Sequence, residues 1–457
     1  MATTDGRPAF DRLRNSVRQF DVSGKILLMP DMAPFGVRLL ASCFRAFGVE
    51  AVVMETYKAL SLGREFTSGK ECFPCQVTLG DILHYLLREK DRLGSSFSPE
   101  RYVYFMPEAD GPCRFGMYNK LQKMVLDRFD EFRDIPICYL STNNAYATGS
   151  IMPADRSPAF RKLSYICVII ADVLDRIGWR VRPYEWRPGM TDAFLDEGLG
   201  ALRSAIESEG AGIDFSKLFR ITEEIAATAA TFIDPHKPRR PRIGIVGEIY
   251  LRSHPDSNQN IVRQIELYGG EVVNASIAEW INFIAYDRDV KLRRQCKLFW
   301  KEGSHGTLRH WWRQWTDIQM ERFYQAWRQG QVYRMVMRHL DIQPDHGMGS
   351  IERRLEGERL FSFAIGTEAA LSIGGALEYA HHDFDGVVNV FPFTCMPSTV
   401  CAAVLKPLLH KMRLPYLDAP YDGAIQPNRE VAMRTFLYQA KQHLEARLNG
   451  RNDKANP

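Results

Sequence analysis

Hydrophobic and polar positions follow one pattern in four blocks of the chain: a short apolar run, a turn with glycine or proline, an amphipathic stretch and a second apolar run. An apolar run of strand length, followed by helical periodicity and another such run, is typical of a β-α-β unit. Such units imply parallel sheets with helices on both faces, so the pattern predicts an α/β protein. The four blocks cover residues 24–54, 101–141, 242–275 and 386–419.

A proline-rich, charged segment, DPHKPRRPR, separates the second block from the third. It follows a helical region at about 155–232, and segments of this composition often mark domain boundaries. The sequence therefore predicts an N-terminal α/β domain, 1–237, and a C-terminal α/β domain, 238–457. Within the second domain, residues from about 285 to 345 are helical in pattern, basic and rich in tryptophan. We interpret those tryptophans as the core of an additional helical subdomain.

Length and composition agree with a multidomain globular protein. The chain has 457 residues, more than a single hydrophobic core usually supports, and its net charge of +4 gives no reason to expect nucleic acid or an anionic membrane as the main partner. The N-terminus lacks the apolar segment of a secretory signal, and no apolar run is long enough to span a bilayer. We therefore expect a cytoplasmic protein whose nine cysteines stay reduced, so that clustered cysteines indicate metal binding or catalysis.

Four of the nine cysteines lie in turns beside proline or glycine that lead into helices. Cys113 and Cys395 follow predicted strands, and Cys72 and Cys75 form a Cys-x-x-Cys motif ahead of an apolar helix. Ligands of open α/β sheets bind in loops at the carboxyl ends of strands, which makes these thiols the candidate metal ligands. Cys296, in the basic helical region, has no assigned role. The others lie in apolar elements, where a free cysteine packs as a small hydrophobe: Cys43, Cys138, Cys167 and Cys401.

Four thiolates could hold an iron–sulfur cluster or a zinc ion. Structural zinc sites usually pair two Cys-x-x-Cys units in a compact module, whereas here one such unit is joined by two isolated, distant cysteines. The ligands of a [4Fe-4S] cluster often come from separate loops followed by proline, so the spacing favours the cluster over zinc. A redox pair at Cys72 and Cys75 is less favoured, because it would leave Cys113 and Cys395 unexplained.

Four motifs resemble one protein family: GKECFPCQVTLGD, MPEADGPCRFGMY, IGIVGEIYLR and GVVNVFPFTCMPSTV. They are similar to the B-subunit-like proteins of the 2-hydroxyacyl-CoA dehydratase and benzoyl-CoA reductase superfamily, in particular its acyl-CoA dehydratase activase-related branch. The likeness covers about residues 24–440. It implies two Rossmann-like or flavodoxin-like parallel-sheet domains, with an iron–sulfur cluster in the cleft between them.

The resemblance also implies roles for individual residues. Cys72, Cys113 and Cys395 match the cluster-cysteine positions of the family, and Cys75 is an extra thiol of this branch. Dehydratase subunits leave one iron open to substrate, and a fourth thiolate would close that position. Some relatives hold a double-cubane [8Fe-9S] cluster, which would have to recruit cysteines from core-like positions and is therefore ranked below a single cubane. Electrons are expected from an ATP-hydrolysing activase of the sugar kinase/actin-like type.

Three further residues are candidates for contacts around the cluster or a ligand. Lys70 and Glu71 flank the first cysteine, and a cation there would raise the potential of a cluster; an ordinary solvated turn is an equal alternative. Arg252 follows a predicted strand near a helix start, where a phosphate or carboxylate could bind. Ser257 and Asn258 in the same segment suit a helix cap.

The sequence leaves three classes of function open. The preferred one is an iron–sulfur protein of anaerobic metabolism, used for low-potential electron transfer or reductive chemistry and supplied by a separate ATPase, because the chain has no Walker A motif. The second is an iron–sulfur reductase or dehydratase that acts directly on an acyl-CoA or another small molecule. The third is a zinc-stabilised binding or scaffold protein. No residue is assigned as catalytic, and a homodimer is compatible with the sequence.

Overall fold

The protein has an α/β fold with two four-stranded parallel sheets and many helices, which confirms the predicted class. The computed structural model describes residues 13, 15–109, 111–302 and 308–455. Positions 303–307 of the predicted Trp-rich region lie outside the described residues. No helix in the described ranges is both long enough and apolar enough to cross a membrane.

The chain divides into two compact units. The first comprises Met1–Cys167, Ala201–Phe215 and Pro392–Thr394. The second comprises Val168–Gly200, Ser216–Phe391 and Cys395–Pro457. One sheet belongs to each unit, except that Pro392, at the end of a strand of the second sheet, groups with the first unit. The predicted domain boundary near residue 237 stays a prediction.

The first sheet has the strand order β2-β1-β3-β4. Strand β1 pairs in parallel with β2 and β3, and β3 pairs in parallel with β4. The central strands β1 and β3 are almost entirely buried, as expected for strands that helices cover on both faces. The strands are β1 Ile26–Met29, β2 Glu50–Val53, β3 Tyr102–Phe105 and β4 Ile137–Cys138.

The helices along the first half of the chain include one close helix–helix contact. They are α1 Pro34–Ala46, α2 Leu60–Glu65, α3 Phe73–Leu93, α4 Tyr118–Leu126, α5 Ser157–Val181 and α6 Met190–Glu209. Helices α2 and α3 meet at two glycines: a Cβ at Gly63 would overlap the carbonyl oxygen of Gln76, and a Cβ at Gly80 would overlap that of Ala59. The contact therefore requires glycine at both positions, and it fixes the start of α3 against α2.

The second sheet repeats the topology of the first, with the order β6-β5-β7-β8. Strand β5 pairs in parallel with β6 and β7, and β7 is buried along its whole length. The strands are β5 Arg242–Gly247, β6 Glu271–Asn274, β7 Gly386–Pro392 and β8 Tyr416–Tyr421. The remaining helices are α7 Phe215–Ala230, α8 Ile249–Ser253, α9 Ile261–Leu267, α10 Ile277–Glu302, α11 Leu308–Val336, α12 Met348–Gly357, α13 Glu368–His381, α14 Met396–Lys411 and α15 Arg429–Ala455.

The Trp-rich region consists mainly of α10 and α11, which pack against each other, so the predicted helical character is confirmed. Its tryptophans are not all part of a core. Trp312 is 55% exposed and Trp327 is 45% exposed. The interpretation of the tryptophans as a buried core is therefore wrong for these two residues, because aliphatic side chains such as Ile318 and Val332 fill the inner face of α11.

Candidate functional site

Cys72 and Cys75 lie at the amino-terminal end of α3. Cys72 immediately precedes the helix with a backbone φ of 93°, a value that residues other than glycine seldom adopt. The backbone N–H of Cys75 donates to the carbonyl oxygen of Cys72 at 3.1 Å. Pro74 lies in the first turn of the helix, where its missing N–H is not needed. The turn buries both residues, with Cys72 7% exposed and Cys75 fully enclosed.

The two thiols of this motif influence each other. Burial raises the pKa of the Cys75 thiol, and the charge of a Cys72 thiolate would raise it further. The Cys75 thiol therefore stays protonated unless positive charge lies beside it. The amino-terminal end of α3 contributes a partial positive charge, and a bound metal would deprotonate the thiols outright.

Cys113 lies in the loop between β3 and α4 and is exposed. It immediately precedes a short 3-10 helix, Arg114–Met117. Upstream in the same loop, the carboxylate of Glu108 accepts a hydrogen bond from the side chain of Asn119 at 3.0 Å and forms an ion pair with Lys120. These contacts anchor the loop to α4, so Cys113 is held in a defined loop although it is exposed.

Arg114 connects the backbone beside three of the cysteines. Its Nη1 donates to the carbonyl oxygen of Lys70 at 2.5 Å, and its Nη2 donates to the carbonyl oxygen of Thr394 at 2.7 Å. Lys70 lies two residues before Cys72, and Thr394, which groups with the first unit, directly precedes Cys395 in the chain. A planar guanidinium can hold two such acceptors in fixed geometry. Within the first unit, Arg114 therefore joins segments that are far apart in sequence.

Cys395 lies at the start of α14 in the second unit and is 5% exposed. Its carbonyl oxygen accepts a hydrogen bond from the backbone N–H of Thr399 at 2.9 Å, and Pro397 lies in the first turn of the helix. Burial raises the pKa of the Cys395 thiol, and the negative charge of Glu248 raises it further. This thiol, like that of Cys75, is protonated unless a cation compensates for burial.

Cys113 and Cys395 occupy the same topological position in the two sheets. Each follows the third strand of its sheet, β3 or β7, and each immediately precedes a helix. In both sheets the third strand lies beside the first, on the side opposite the second. The strand order therefore reverses between the first and the third strand of each sheet. Open α/β sheets bind ligands in the loops that follow the strands at such a reversal. Each sheet therefore carries a cysteine in its characteristic ligand-binding loop.

Lys70 and Glu71 differ in their surroundings. Lys70 is exposed, and its carbonyl oxygen accepts the hydrogen bond from Arg114. The carboxylate of Glu71 accepts hydrogen bonds from the backbone N–H and the hydroxyl of Ser68 at 3.0 and 2.9 Å. Burial opposes ionisation, but the hydrogen bonds from Ser68 outweigh it and lower the pKa of Glu71. Glu71 therefore closes the turn ahead of Cys72 as an ionised group.

Arg252 is buried in the second unit, 5% exposed, and its Nη2 donates to the carbonyl oxygen of Ser276 at 3.4 Å. Its electrostatic neighbours include Glu248 and Glu368. Burial raises the pKa of Glu368 to about 8, the charge of Glu248 adds to the rise, and the Arg252 guanidinium opposes it. The Arg252 guanidinium therefore lies near buried carboxyl groups. A contact between Arg252 and a ligand stays a prediction.

The cysteines assigned to the core are buried, as predicted: Cys43, Cys138, Cys167 and Cys401. Burial raises the pKa of the Cys138 thiol to about 12. Cys296 is half-buried in α10. The positions of the four buried cysteines suit packing inside helices and strands.

Three of the four candidate ligands, Cys72, Cys75 and Cys113, lie in the first unit, and Cys395 lies in the second. Across residues 13, 15–109, 111–302 and 308–455, no group of three or more histidine, cysteine, aspartate or glutamate side chains is arranged to hold a metal ion. Cys72 and Cys75 lie together at one helix end, and the contact of Arg114 with Lys70 links the loop of Cys113 to the segment before them. The complete set of ligands stays a prediction.

No family model matches the chain, and no curated protein matches it significantly. The resemblance to the dehydratase and reductase superfamily therefore stays a hypothesis that the quoted motifs alone carry.

Two residues near the candidate cysteines were not predicted from the sequence. Arg114 could have been noticed as a cation that directly follows a loop cysteine. Glu368 gives no such signal. It follows Thr367, whose hydroxyl accepts the backbone N–H of Ala369 at 3.1 Å, and it resembles an ordinary first-turn acid of a helix. Only the fold places it next to Glu248.

Proposed function

We propose that the protein is an iron–sulfur protein for low-potential electron transfer or reductive chemistry, with Cys72, Cys75, Cys113 and Cys395 as the ligands of a [4Fe-4S] cluster. The observation that carries the proposal is the matched position of Cys113 and Cys395, each in the loop after the third strand of a parallel sheet. Such loops are where α/β sheets bind ligands, and a cysteine in both is unexpected for simple packing.

The donor chemistry of the four residues fits such a cluster. Thiolates are the usual ligands of [4Fe-4S] clusters, and a bound cluster would supply a one-electron carrier of low potential. Burial keeps the pKa values of the Cys75 and Cys395 thiols high in the unloaded protein. Loading must therefore release protons from these two residues, and the charge of the iron ions would compensate for their burial.

Assembly of the cluster would be coupled to the protonation state of its ligands, because the thiols must lose their protons to bind iron. Cys113 is the exposed member of the proposed set. Arg114 holds the loop of Cys113 beside the segment of Lys70.

The strand order supports a flavodoxin-like assignment for both sheets. Each has the order 2-1-3-4 along its own strands, and all the pairs for which a register is described are parallel. The flavodoxin-like fold begins with the same order and places its cofactor at the same reversal point.

A separate ATP-hydrolysing activase of the sugar kinase/actin-like type would supply the electrons. The support for this partner is the resemblance of the cysteine motifs to the dehydratase superfamily, together with the lack of a Walker A motif in the sequence.

The test is a metal and sulfide analysis of anaerobically purified or reconstituted protein. We expect a brown protein with broad absorption near ~400 nm and about four irons and four sulfides per chain. About eight irons would replace the single cubane with a double cubane. A colourless protein with stoichiometric zinc would overturn the proposal in favour of a zinc-stabilised protein.

A further inference from the structure

An exposed apolar stripe runs along α11 in the second unit. Its large members are Trp312, Met320, Phe323 and Trp327, which are 55%, 70%, 72% and 45% exposed. Residues that are separated by multiples of three and four positions lie on one side of a helix. These four side chains therefore lie on one side of α11, and we name this side the α11 seam.

The other side of α11 is packed. Ile318, Val332 and Val336 on that side are no more than 4% exposed, and α10 packs against this helix. A surface helix of a globular protein normally turns its polar residues to solvent. The α11 seam does the opposite, and contiguous exposed apolar patches mark interaction sites.

The seam has the width of a contact with one other helix. Thr316, Met320, Phe323, Trp327 and Gly330 are separated by alternating steps of four and three residues, the spacing of the a and d positions of a coiled coil. A strict a/d stripe is narrower than the apolar face with which a helix lies on a bilayer.

The segment that carries the seam is strongly basic. Residues 288–338 contain 12 lysines and arginines and 4 acidic residues, a net charge of +8, while the whole chain has only +4. Arg313 and Arg334 are exposed near the two ends of the seam, and Arg294 and Lys297 are exposed on α10. Among the described residues, none of these four side chains forms an ion pair. Their charge is therefore available to an acidic partner.

We propose that the α11 seam docks an acidic amphipathic helix of a partner protein. Aromatic residues, methionine and arginine are the residue types enriched in protein interfaces, and tryptophan and arginine often carry most of the binding energy. A second copy of the chain fits poorly, because two segments of net charge +8 would repel each other. The inference is independent of the proposed cluster.

The probe is a designed helical peptide added to the full-length protein. It has about four heptads, with leucine at the a and d positions and glutamate at the e and g positions. Fluorescence anisotropy of the labelled peptide should give a Kd on the order of 10 μM or tighter, weakening several-fold between about 0.05 M and about 0.3 M salt. The matching peptide with lysine in place of glutamate should bind at least about tenfold more weakly.

Two double variants separate the apolar and the charged contributions. Met320→Gln with Phe323→Gln should weaken binding of the acidic peptide about tenfold or more, because it removes the two most exposed side chains of the seam. Arg313→Glu with Arg334→Glu should also weaken binding and should reduce its dependence on salt. All four positions are on the exposed or half-buried side of α11, so the far-ultraviolet circular dichroism should not change.

The matched control is Leu267→Gln, which changes a 77% exposed apolar residue of α9 in the same unit and should leave binding unaltered. Equal binding of the glutamate and lysine peptides, or unaltered binding by both double variants, would overturn the proposal. The seam would instead be a lipid-binding surface if the protein bound vesicles with about 30% phosphatidylglycerol, the double variants abolished that binding, and no peptide bound. If the protein associated with itself and Met320→Gln with Phe323→Gln abolished that association, the α11 seam would be an interface between two copies of the chain.

Discussion

The Sγ atom of Cys43 lies 3.3 Å from the Sγ atom of Cys167. The two residues belong to α1 and α5 in the first unit, and neither is more than 1% exposed. The hydrogen bond from Cys43 and burial both raise the pKa of the Cys167 thiol. The two thiols therefore form a contact inside the core, whereas Cys113 is exposed.

This contrast predicts the order of alkylation in the metal-free native protein. Cys113 should react with iodoacetamide at least about a hundredfold faster than Cys43 or Cys167, because reaction of the buried pair requires local opening. Peptide mass spectrometry at a series of times measures the three rates. In urea the three rates should converge, which is the control. Comparable rates for Cys43 and Cys113 in the native protein would contradict the burial of the pair.

Serine variants of the same cysteines test the ligand set. Cys113→Ser and Cys395→Ser should each lose most of the iron, since each removes a ligand of the proposed cluster. Cys43→Ser and Cys167→Ser should retain it, because those thiols contact each other inside the first unit. Iron content per folded chain is the measurement. Equal loss in all four variants would show that general destabilisation, and not ligand removal, explains the result.

The regular part of the fold was predictable because it depends on local patterns. The strands at Ile26–Met29 and Gly386–Pro392 are short apolar runs; Pro30 follows the first, and the second ends in Pro392. The same periodicity placed Cys395 at the start of a helix. The parallel direction of the strands followed from the β-α-β pattern.

The contacts of individual side chains were not predictable in this way. Arg114 contacts Thr394, 280 residues away in the chain, and no local pattern contains that relationship. The exposure of Trp312 and Trp327 was also missed. A helix with tryptophan and arginine at many positions does not reveal which side packs inward, so hydrophobicity alone suggested a core.

The close contact of α2 with α3 predicts an unequal response to alanine. Gly63→Ala and Gly80→Ala should each lower the free energy of unfolding by about 1 to 3 kcal/mol, because the added methyl group would overlap a backbone carbonyl. Gly200→Ala is the control: an added Cβ there has no neighbour within 4 Å, and the residue is exposed in α6. Replacement of that helical glycine should raise stability by up to about 1 kcal/mol. Urea unfolding measures the free energy of unfolding of all three variants. Equal changes in the three variants would contradict the close contact of α2 with α3.

Arg114 is expected to affect retention of the cluster more than global stability. Arg114→Gln removes the donors to the carbonyl oxygens of Lys70 and Thr394 and should speed the loss of iron to a chelator about tenfold or more in reconstituted protein. Arg114→Lys should be intermediate, since an ammonium group lacks the planar fork. The control is Arg133→Gln, an exposed arginine of the same unit that pairs with Asp130. Equal rates in the Arg114 and Arg133 variants would contradict a role for the bridge.

His254 should make the second unit less stable in mild acid. The imidazole is 1% exposed, its Nδ1 lies 3.1 Å from the backbone nitrogen of Ser257, and its ring stacks on that of Tyr250 with 4.8 Å between centroids. Burial lowers the pKa of His254 to about 4. Below about pH 6.5 the unfolded chain binds a proton that the folded protein does not, so stability falls as the pH falls toward 4.

The expected loss between about pH 7.5 and about pH 5 is on the order of 2 kcal/mol from this residue, measured as the difference in urea unfolding between the two conditions. His254→Asn should remove that part of the pH dependence, because the amide oxygen can take the place of Nδ1 without titrating. His236→Gln changes an exposed histidine and should leave the wild-type pH dependence in place. If His254→Asn shows the same pH dependence as the wild type, acidic groups elsewhere in the chain account for it and the buried neutral imidazole does not.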